Sequence, residues 1–466
     1  MTLLQQLQAL AQSDTLPMHM PGHKRGTHLA PYLDTLGAEL DITEIEGFGN
    51  LHAPDGILAE RMTRAAKLWG SKRAWWLIGG STAGLLAAID AATHPGDKVL
   101  IARNCHKSVY NACMLCRLRT AYIQPSPFKG HSFADAITAE QVSAALTEHP
   151  DTRLVVLTSP TYEGLCADLP AISKAVHSRG AILLVDEAHG AHLGLHPDFP
   201  PSAVTQGADM AVQSLHKTLP CLTQTAMLHL CSDRISADEL GFRLSVYQTS
   251  SPSYLLMASI DSCVQLLTEQ KDTLLPQWRS RIRGFYEALI LKHLSLPLLG
   301  CAYADPSKLL ISTQGTNLTG PRLAEILRSK YRIEPEMSTA DTVLCMTGMG
   351  DRQSDLLRLA DALTHIDRTL TPAPISDSIP VPVPRQAMQI HEAAKAPAEL
   401  IPIDCAQGRI SGDFLWAYPP GIPLVVPGEI VDDTLLGCLS AAADKGVEIA
   451  SPKACPEGMI RVLKRA

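Results

Sequence analysis

Between Trp75 and Lys217 short apolar runs alternate with helix-forming runs, and this alternation restricts the fold more than any other feature. Trp75-Trp76-Leu77-Ile78, Lys98–Ile101, Arg153–Thr158, Ala181–Val185 and Ala208–Gln213 each read as a short buried strand. Leu85–Ala92 reads as a helix stopped by His94-Pro95-Gly96, a helical segment runs on to Leu118, and Asp168–Ser178 is a helix ended by Gly180. Strands that alternate with helices predict a mostly parallel α/β sheet with helices on both faces. Gln224–Leu230 adds one further strand.

In open α/β sheets ligands collect at the carboxyl ends of strands. Asp186 stands at the end of one predicted strand, and the run after Gln213 delivers Ser214, His216 and Lys217 to the same edge. Gly79-Gly80-Ser81-Thr82-Ala83-Gly84 follows the first strand and opens a helix. Amide groups at a helix N-terminus, with the Ser81 and Thr82 hydroxyls, make a cradle for a phosphate. A lysine that can hold an aldehyde, an acid that keeps a ring nitrogen protonated and a phosphate cradle are the requirements of pyridoxal phosphate (PLP) chemistry. Lys217 and Asp186 are placed to be that pair.

Other readings of the same letters are weaker. Asp186-Glu187-Ala188-His189 matches a helicase box, but no G-x-x-x-x-G-K-[ST] phosphate loop occurs in the chain. The spacing of His189, His192 and His196 fits no zinc pattern, so no metal is expected. Cys113 and Cys116 have redox-motif spacing on an apolar helix, where buried thiols are the better reading. The net charge of −7 argues against nucleic acid as a partner. No apolar run has the length of a membrane span, and the 12 scattered cysteines follow no secretory signal, so a reducing cytoplasm is expected.

Outside this core, Met1–Gln12 reads as an amphipathic helix and Met18–Gly26 as a loop. Asp41, Glu44 and Glu46 lie in an acidic, Gly-rich segment that suits a basic substrate or a solvated loop equally. His106 can stack on a flat ring or simply start the helix that follows it. A polar loop, Tyr247–Tyr254, precedes a helix from about Leu255. The expected organisation is an N-terminal arm (1–55), a cofactor-binding major domain (56–260), its continuation (261–370), a Pro-rich linker (371–386) and a small C-terminal α+β domain (387–466). Tyr418-Pro419-Pro420-Gly421-Ile422-Pro423-Leu424 is expected to be a rigid turn.

Taken in order, several motifs resemble the PLP-dependent Orn/Lys/Arg decarboxylases of the short bacterial type, which have the aspartate-aminotransferase-like fold (fold type I). They are Pro21-Gly22-His23-Lys24, Asn50-Leu51-His52-Ala53-Pro54, Gly80–Gly84, Arg103–Ser108, Val185–Gly190, Ser214–Lys217 and Tyr418–Leu424. The resemblance implies a seven-stranded, mostly parallel sheet and decarboxylation of arginine, lysine or ornithine to an amine and CO2. It implies a Schiff base at Lys217, Asp186 at the pyridinium nitrogen, His106 on the ring face, and His189 near the ring hydroxyl or the substrate carboxylate. Carbon dioxide would leave through a quinonoid intermediate, with the protonated ring as electron sink. Ser81, Thr82 and Ala83, helped by Ser214 and His216, would bind the phosphate. The implied assembly is a homodimer in which Thr249 or Ser250 reaches the partner's phosphate. Asp41, Glu44, Glu46 and Glu163 are candidates for the cationic end of the substrate. An aminotransferase or other fold type I transferase needs the same core plus an arginine clamp for a carboxylate, for which Arg409 is the candidate. A PLP-binding regulator without turnover is a further alternative.

Overall fold

A computed structural model gives the fold and describes residues 1–25, 31–131, 133–375, 382–418, 422–444, 448–453, 455–456 and 458–465. The principal strands are β1 (Arg73–Leu77), β2 (Lys98–Ala102), β3 (Arg119–Ile123), β4 (Thr152–Thr158), β5 (Ile182–Asp186), β6 (Met210–Gln213) and β7 (Ala226–Leu230). They form one seven-stranded sheet in the order β1-β7-β6-β5-β4-β2-β3. The pairs β2–β3, β2–β4 and β5–β6 are parallel, as helical crossovers require. Strand β7 runs antiparallel to both β6 and β1. The expected mostly parallel sheet is present. Strand β3 (RTAYI) is an addition, since its mixed polarity hides it from an apolar-run reading.

The chain packs as two compact units: 1–92 with 183–276 and 348–350, and 93–182 with 277–347 and 351–466. They interleave along the sequence, because the chain crosses from one to the other and back.

In the first unit the helices are α1 (Leu3–Ala11), α2 (Gly56–Trp69) and α3 (Gly80–Ala92). Helix α1 starts in a capping box between Thr2 and Gln5, and the Leu3 amide donates to the buried Asp261 carboxylate at 2.7 Å. Helix α3 begins at Gly80, whose φ of +71° closes the turn after β1. A Cβ at Gly84 would sit 2.5 Å from Leu77 Cδ1 and 3.1 Å from Val212 Cγ1. Glycine there lets the helix lie directly on β1 and β6.

The second unit carries α4 (Lys107–Leu115), α5 (Ala139–Glu148) and α6 (Leu169–Ser178). Each starts on a side-chain cap, from His106, Thr138 and Asp168 respectively. Helix α4 ends at Leu115 rather than Leu118, and Arg117 is left-handed at φ +55°. Strand β2 feeds Arg103, which is buried and grips Glu429 through two hydrogen bonds of 2.8 and 2.9 Å. Arg103 also donates to the Leu424 carbonyl at 3.1 Å and lies 4.9 Å above the Tyr122 ring. A guanidinium out of water needs such a forked partner.

The C-terminal region folds around Leu415, Val425, Val431, Leu435, Ile460 and Val462. The Tyr418–Leu424 motif, read from its prolines as a rigid turn, is flanked and partly occupied by strands. Leu415–Tyr418 and Ile422–Val425 are two antiparallel strands, and residues 419–421, where the turn would fall, lie outside the described residues. Pro423 is tolerated because its strand is the edge of a three-stranded sheet. Of the Pro-rich stretch 371–386, residues 376–381 also lie outside the described residues, as does Gly26 of the N-terminal loop.

Candidate active site

Strand β5 ends at Asp186, which is 3 % exposed. It pairs in register with Val212, so both side chains face α3. Asp186 Oδ1 accepts from the Ala188 amide at 3.1 Å. Burial raises the Asp186 carboxyl above its ordinary value, while the Lys217 charge and the Ala188 amide act against that rise. A carboxylate held this way is poised to receive a cation.

After β6 the chain turns into one 3-10 turn, Leu215–Lys217. This places Lys217 Nζ 2.9 Å from His189 Nε2. An ammonium only donates, so His189 Nε2 accepts and its proton sits on Nδ1. His216 Nδ1 meets the Thr225 carbonyl at 2.8 Å, and a carbonyl only accepts, so Nδ1 carries the His216 proton. Burial lowers the His216 pKa, the Thr225 contact opposes this, and the Lys217 charge adds to it.

The Ser81 and Ser214 hydroxyls meet at 2.6 Å and tie the start of α3 to the end of β6. The amides of Ser81, Thr82 and Ala83 fall in the first turn of α3, where backbone donors have no intrahelical acceptor. Thr82 is exposed and Ala83 buried. The donor set therefore comprises one amine, one buried carboxylate, two hydroxyls and a helix N-terminus. It fits PLP in each chemical group: aldehyde, ring nitrogen and phosphate.

The remaining candidates are placed as follows. Thr249 is exposed; its carbonyl accepts from His52 Nε2 at 2.8 Å and its hydroxyl from the Ser251 amide at 3.1 Å. Ser250 is exposed beside it. Asp41 lies 3.3 Å from His23 on a cavity of about 570 Å³ in the first unit. Glu44 is half-buried with Oε1 unpartnered, and Glu46 is exposed. His106 belongs to the second unit, where its Nδ1 accepts from the Ser108 amide at 3.3 Å. Glu163 is buried in that unit, with its charge opposed by burial and supported by Thr161 and Lys308. Arg409 is also in the second unit and already donates to Glu399 at 2.7 Å and to the Leu463 carbonyl at 2.6 Å. Among the described residues, no group of three or more His, Cys, Asp or Glu is placed to hold a metal ion. None of the described helices is long and apolar enough to cross a membrane.

Histidine contacts on both faces of the sheet were not expected from the sequence. His192 Nδ1 meets the hydroxyl of Thr218, the residue after Lys217, at 3.2 Å. Behind the sheet, His229 lies between Ser71 (3.0 Å) and Gln213 (3.2 Å), and burial pushes its pKa down to about 3. The unfolded chain takes up this proton near 6.5, so stability drains away as pH falls from 6.5 towards 3. Denaturant titration at stepped pH should show the stability gap between the protein and His229→Gln shift by about 1.4 kcal/mol per unit in this window. A pH-independent gap would disprove it.

Comparison with known proteins gives the family and the fold. Residues 2–281 match the Orn/Lys/Arg decarboxylase major domain, and residues 373–446 match the C-terminal domain of the same family. The arginine decarboxylase of Bacillus subtilis (strain 168) is 34% identical over 97% of this chain and 96% of its own length. The arginine decarboxylase of Halalkalibacterium halodurans is 31% identical over 98% of this chain and 96% of its own. The fold is shared with the lysine decarboxylase LdcF of Francisella novicida, at a TM-score of 0.86 and 18% identity, over 99% of this chain and 81% of that one. The chain belongs to the Orn/Lys/Arg decarboxylase family and is an amino-acid decarboxylase whose cofactor is PLP.

Proposed function

We propose that the enzyme decarboxylates a basic L-amino acid, arginine foremost, to the amine and CO2, as a homodimer in the cytoplasm. Arginine stands first because the Bacillus subtilis and Halalkalibacterium halodurans relatives, at 34% and 31% identity over nearly the whole chain, are named arginine decarboxylases. The observation that carries the reading is the Lys217 amine set 2.9 Å from His189 and electrostatically coupled to the buried Asp186.

When bound, PLP supplies an electron sink for the pair left behind by CO2. The chain supplies the rest. Lys217 Nζ would hold the cofactor's aldehyde, and as a free amine it can take up or give a proton. His189 accepts a hydrogen bond from Nζ and so fixes where that nitrogen points. Asp186, out of water, would hold the proton on the ring nitrogen, since a nearby cation restores its carboxylate form. The Ser81 and Ser214 hydroxyls and the first-turn amides of α3 anchor the phosphate. The exposed loop at Thr249 and Ser250 is the proposed contribution to the partner's phosphate.

The transferase alternative draws no support from Arg409, whose guanidinium is committed to Glu399 and Leu463. The test is a CO2 and amine assay of the PLP-loaded protein with arginine, lysine and ornithine. Agmatine and CO2 released in equal amounts, with no keto acid required, is the expected result. Cofactor uptake without CO2 from any of the three would sink the proposal.

A further inference from the structure

Strand alternation separates the ends of β5 and β6 into two faces. Asp186, Val212 and Ser214 turn towards α3, while Glu187 and Gln213 turn to the opposite side. On that rear side lies a hydrogen-bonded chain that the proposed reaction does not use. Glu187, 1% exposed, accepts on Oε2 from Gln213 Nε2 and from Ser202 Oγ, both at 2.7 Å. Its Oε1 accepts from the Ala203 amide at 2.7 Å. Gln213, 0% exposed, meets His229 Nε2 through Oε1 at 3.2 Å, and His229 Nδ1 meets Ser71 Oγ at 3.0 Å.

Donor and acceptor roles along this chain are determined from one end. Burial pushes the Glu187 carboxyl up to about 7, against the pull of the Ala203, Gln213 and Ser202 hydrogen bonds; in its ionised form it only accepts, so Gln213 turns its amide nitrogen to Glu187 and its oxygen to His229. His229 Nε2 then carries the proton, and Nδ1 of the neutral ring accepts from Ser71. An apolar pair of similar volume would fill the space as well and avoid burying an acid without a cation. What the polar pair adds is direction. It continues the pairing of β5 and β6 one residue past their last registered pair, Asp186 with Val212. The backbone bonds there are Glu187 N to Val212 O at 2.9 Å and the longer Ser214 N to Ala188 O at 3.3 Å.

We propose that Glu187 and Gln213 are positioning residues for the cofactor site, clamping the strand ends from behind so that Asp186 and the Ser214–Lys217 turn keep their spacing in front. This inference rests on the PLP reading above. It acts through neighbours: neither residue touches the cofactor.

The test compares Gln213→Leu, Glu187→Gln and the exchange E187Q/Q213E, which restores an acid–amide hydrogen bond with its direction reversed. The readouts are the PLP dissociation constant from equilibrium dialysis, the absorption maximum of bound cofactor, and thermal unfolding of the apo protein. Each single variant is expected to weaken PLP binding by on the order of tenfold and to shift its absorption, the size that supporting partners of ligating groups carry. The exchange is expected to recover most of both, while KM for the amino acid moves little. A Gln213→Leu protein with wild-type affinity and spectrum overturns the proposal. So does an exchange variant no better than Glu187→Gln, and that comparison decides alone if Gln213→Leu does not fold. Failure of the unaltered protein to take up PLP through Lys217 would instead remove the cofactor reading itself.

Discussion

Lys217→Ala is expected to fold, to lose PLP on dialysis, and to turn over more slowly by more than about a thousandfold, the scale of losing a covalent catalyst. Lys217→Arg is the sharper variant. It keeps a cation facing Asp186 and His189 but cannot form the covalent link. The two variants should therefore be equally inactive, although the arginine form keeps the charge that supports Asp186. Cofactor absorbance after dialysis, read beside the amine assay, checks both. Lys217→Arg turning over at a tenth of the normal rate would mean that charge, not covalency, is what position 217 supplies.

Asp186→Asn should leave the link to Lys217 intact and still lower kcat by about 10²–10³-fold. Removing one partner of a buried ionic pair costs about 3–5 kcal/mol, and each 1.4 kcal/mol is a factor of ten. The amide keeps the shape and can still accept from Ala188, but it carries no charge to hold a proton on the ring nitrogen. Steady-state kinetics and the absorption spectrum of the bound cofactor are the measurements. A kcat within threefold of normal would assign the electron-sink role elsewhere.

Much of the fold can be read from local letters, because burial on both faces makes parallel strands near-continuous apolar runs. ILLVD at β5 and the LVVL of β4 are such runs, and both are strands in parallel pairs. Strand β3 escapes this reading, since Arg119 and Thr120 break its apolar pattern. The direction of β7 escapes it too, because a run of letters carries no sign of whether the next pairing is parallel. The site was legible as a set of residue types at strand ends. The contacts that orient those residues were not. His189 and Lys217 are 28 positions apart, and Glu187 and Gln213 are 26 apart. No local spacing rule joins them; only the register of β5 against β6 does. Arg409 shows the opposite failure. It is a plausible clamp by type, yet its neighbours Glu399 and Leu463 already occupy it.

The grip of Arg103 on Glu429 links residues 326 positions apart. A ribosome adding about 5–20 residues per second needs roughly 16–65 s to travel from one to the other. Throughout that interval the nascent second unit holds an arginine whose place in the fold is buried and whose counter-charge has not yet been made. The unit cannot close around Arg103 until Glu429 has emerged, long after the strands that surround the arginine are made. A message cut short anywhere before codon 429 would yield a product with most of its strands and an uncompensated interior cation, a natural substrate for chaperones and proteases.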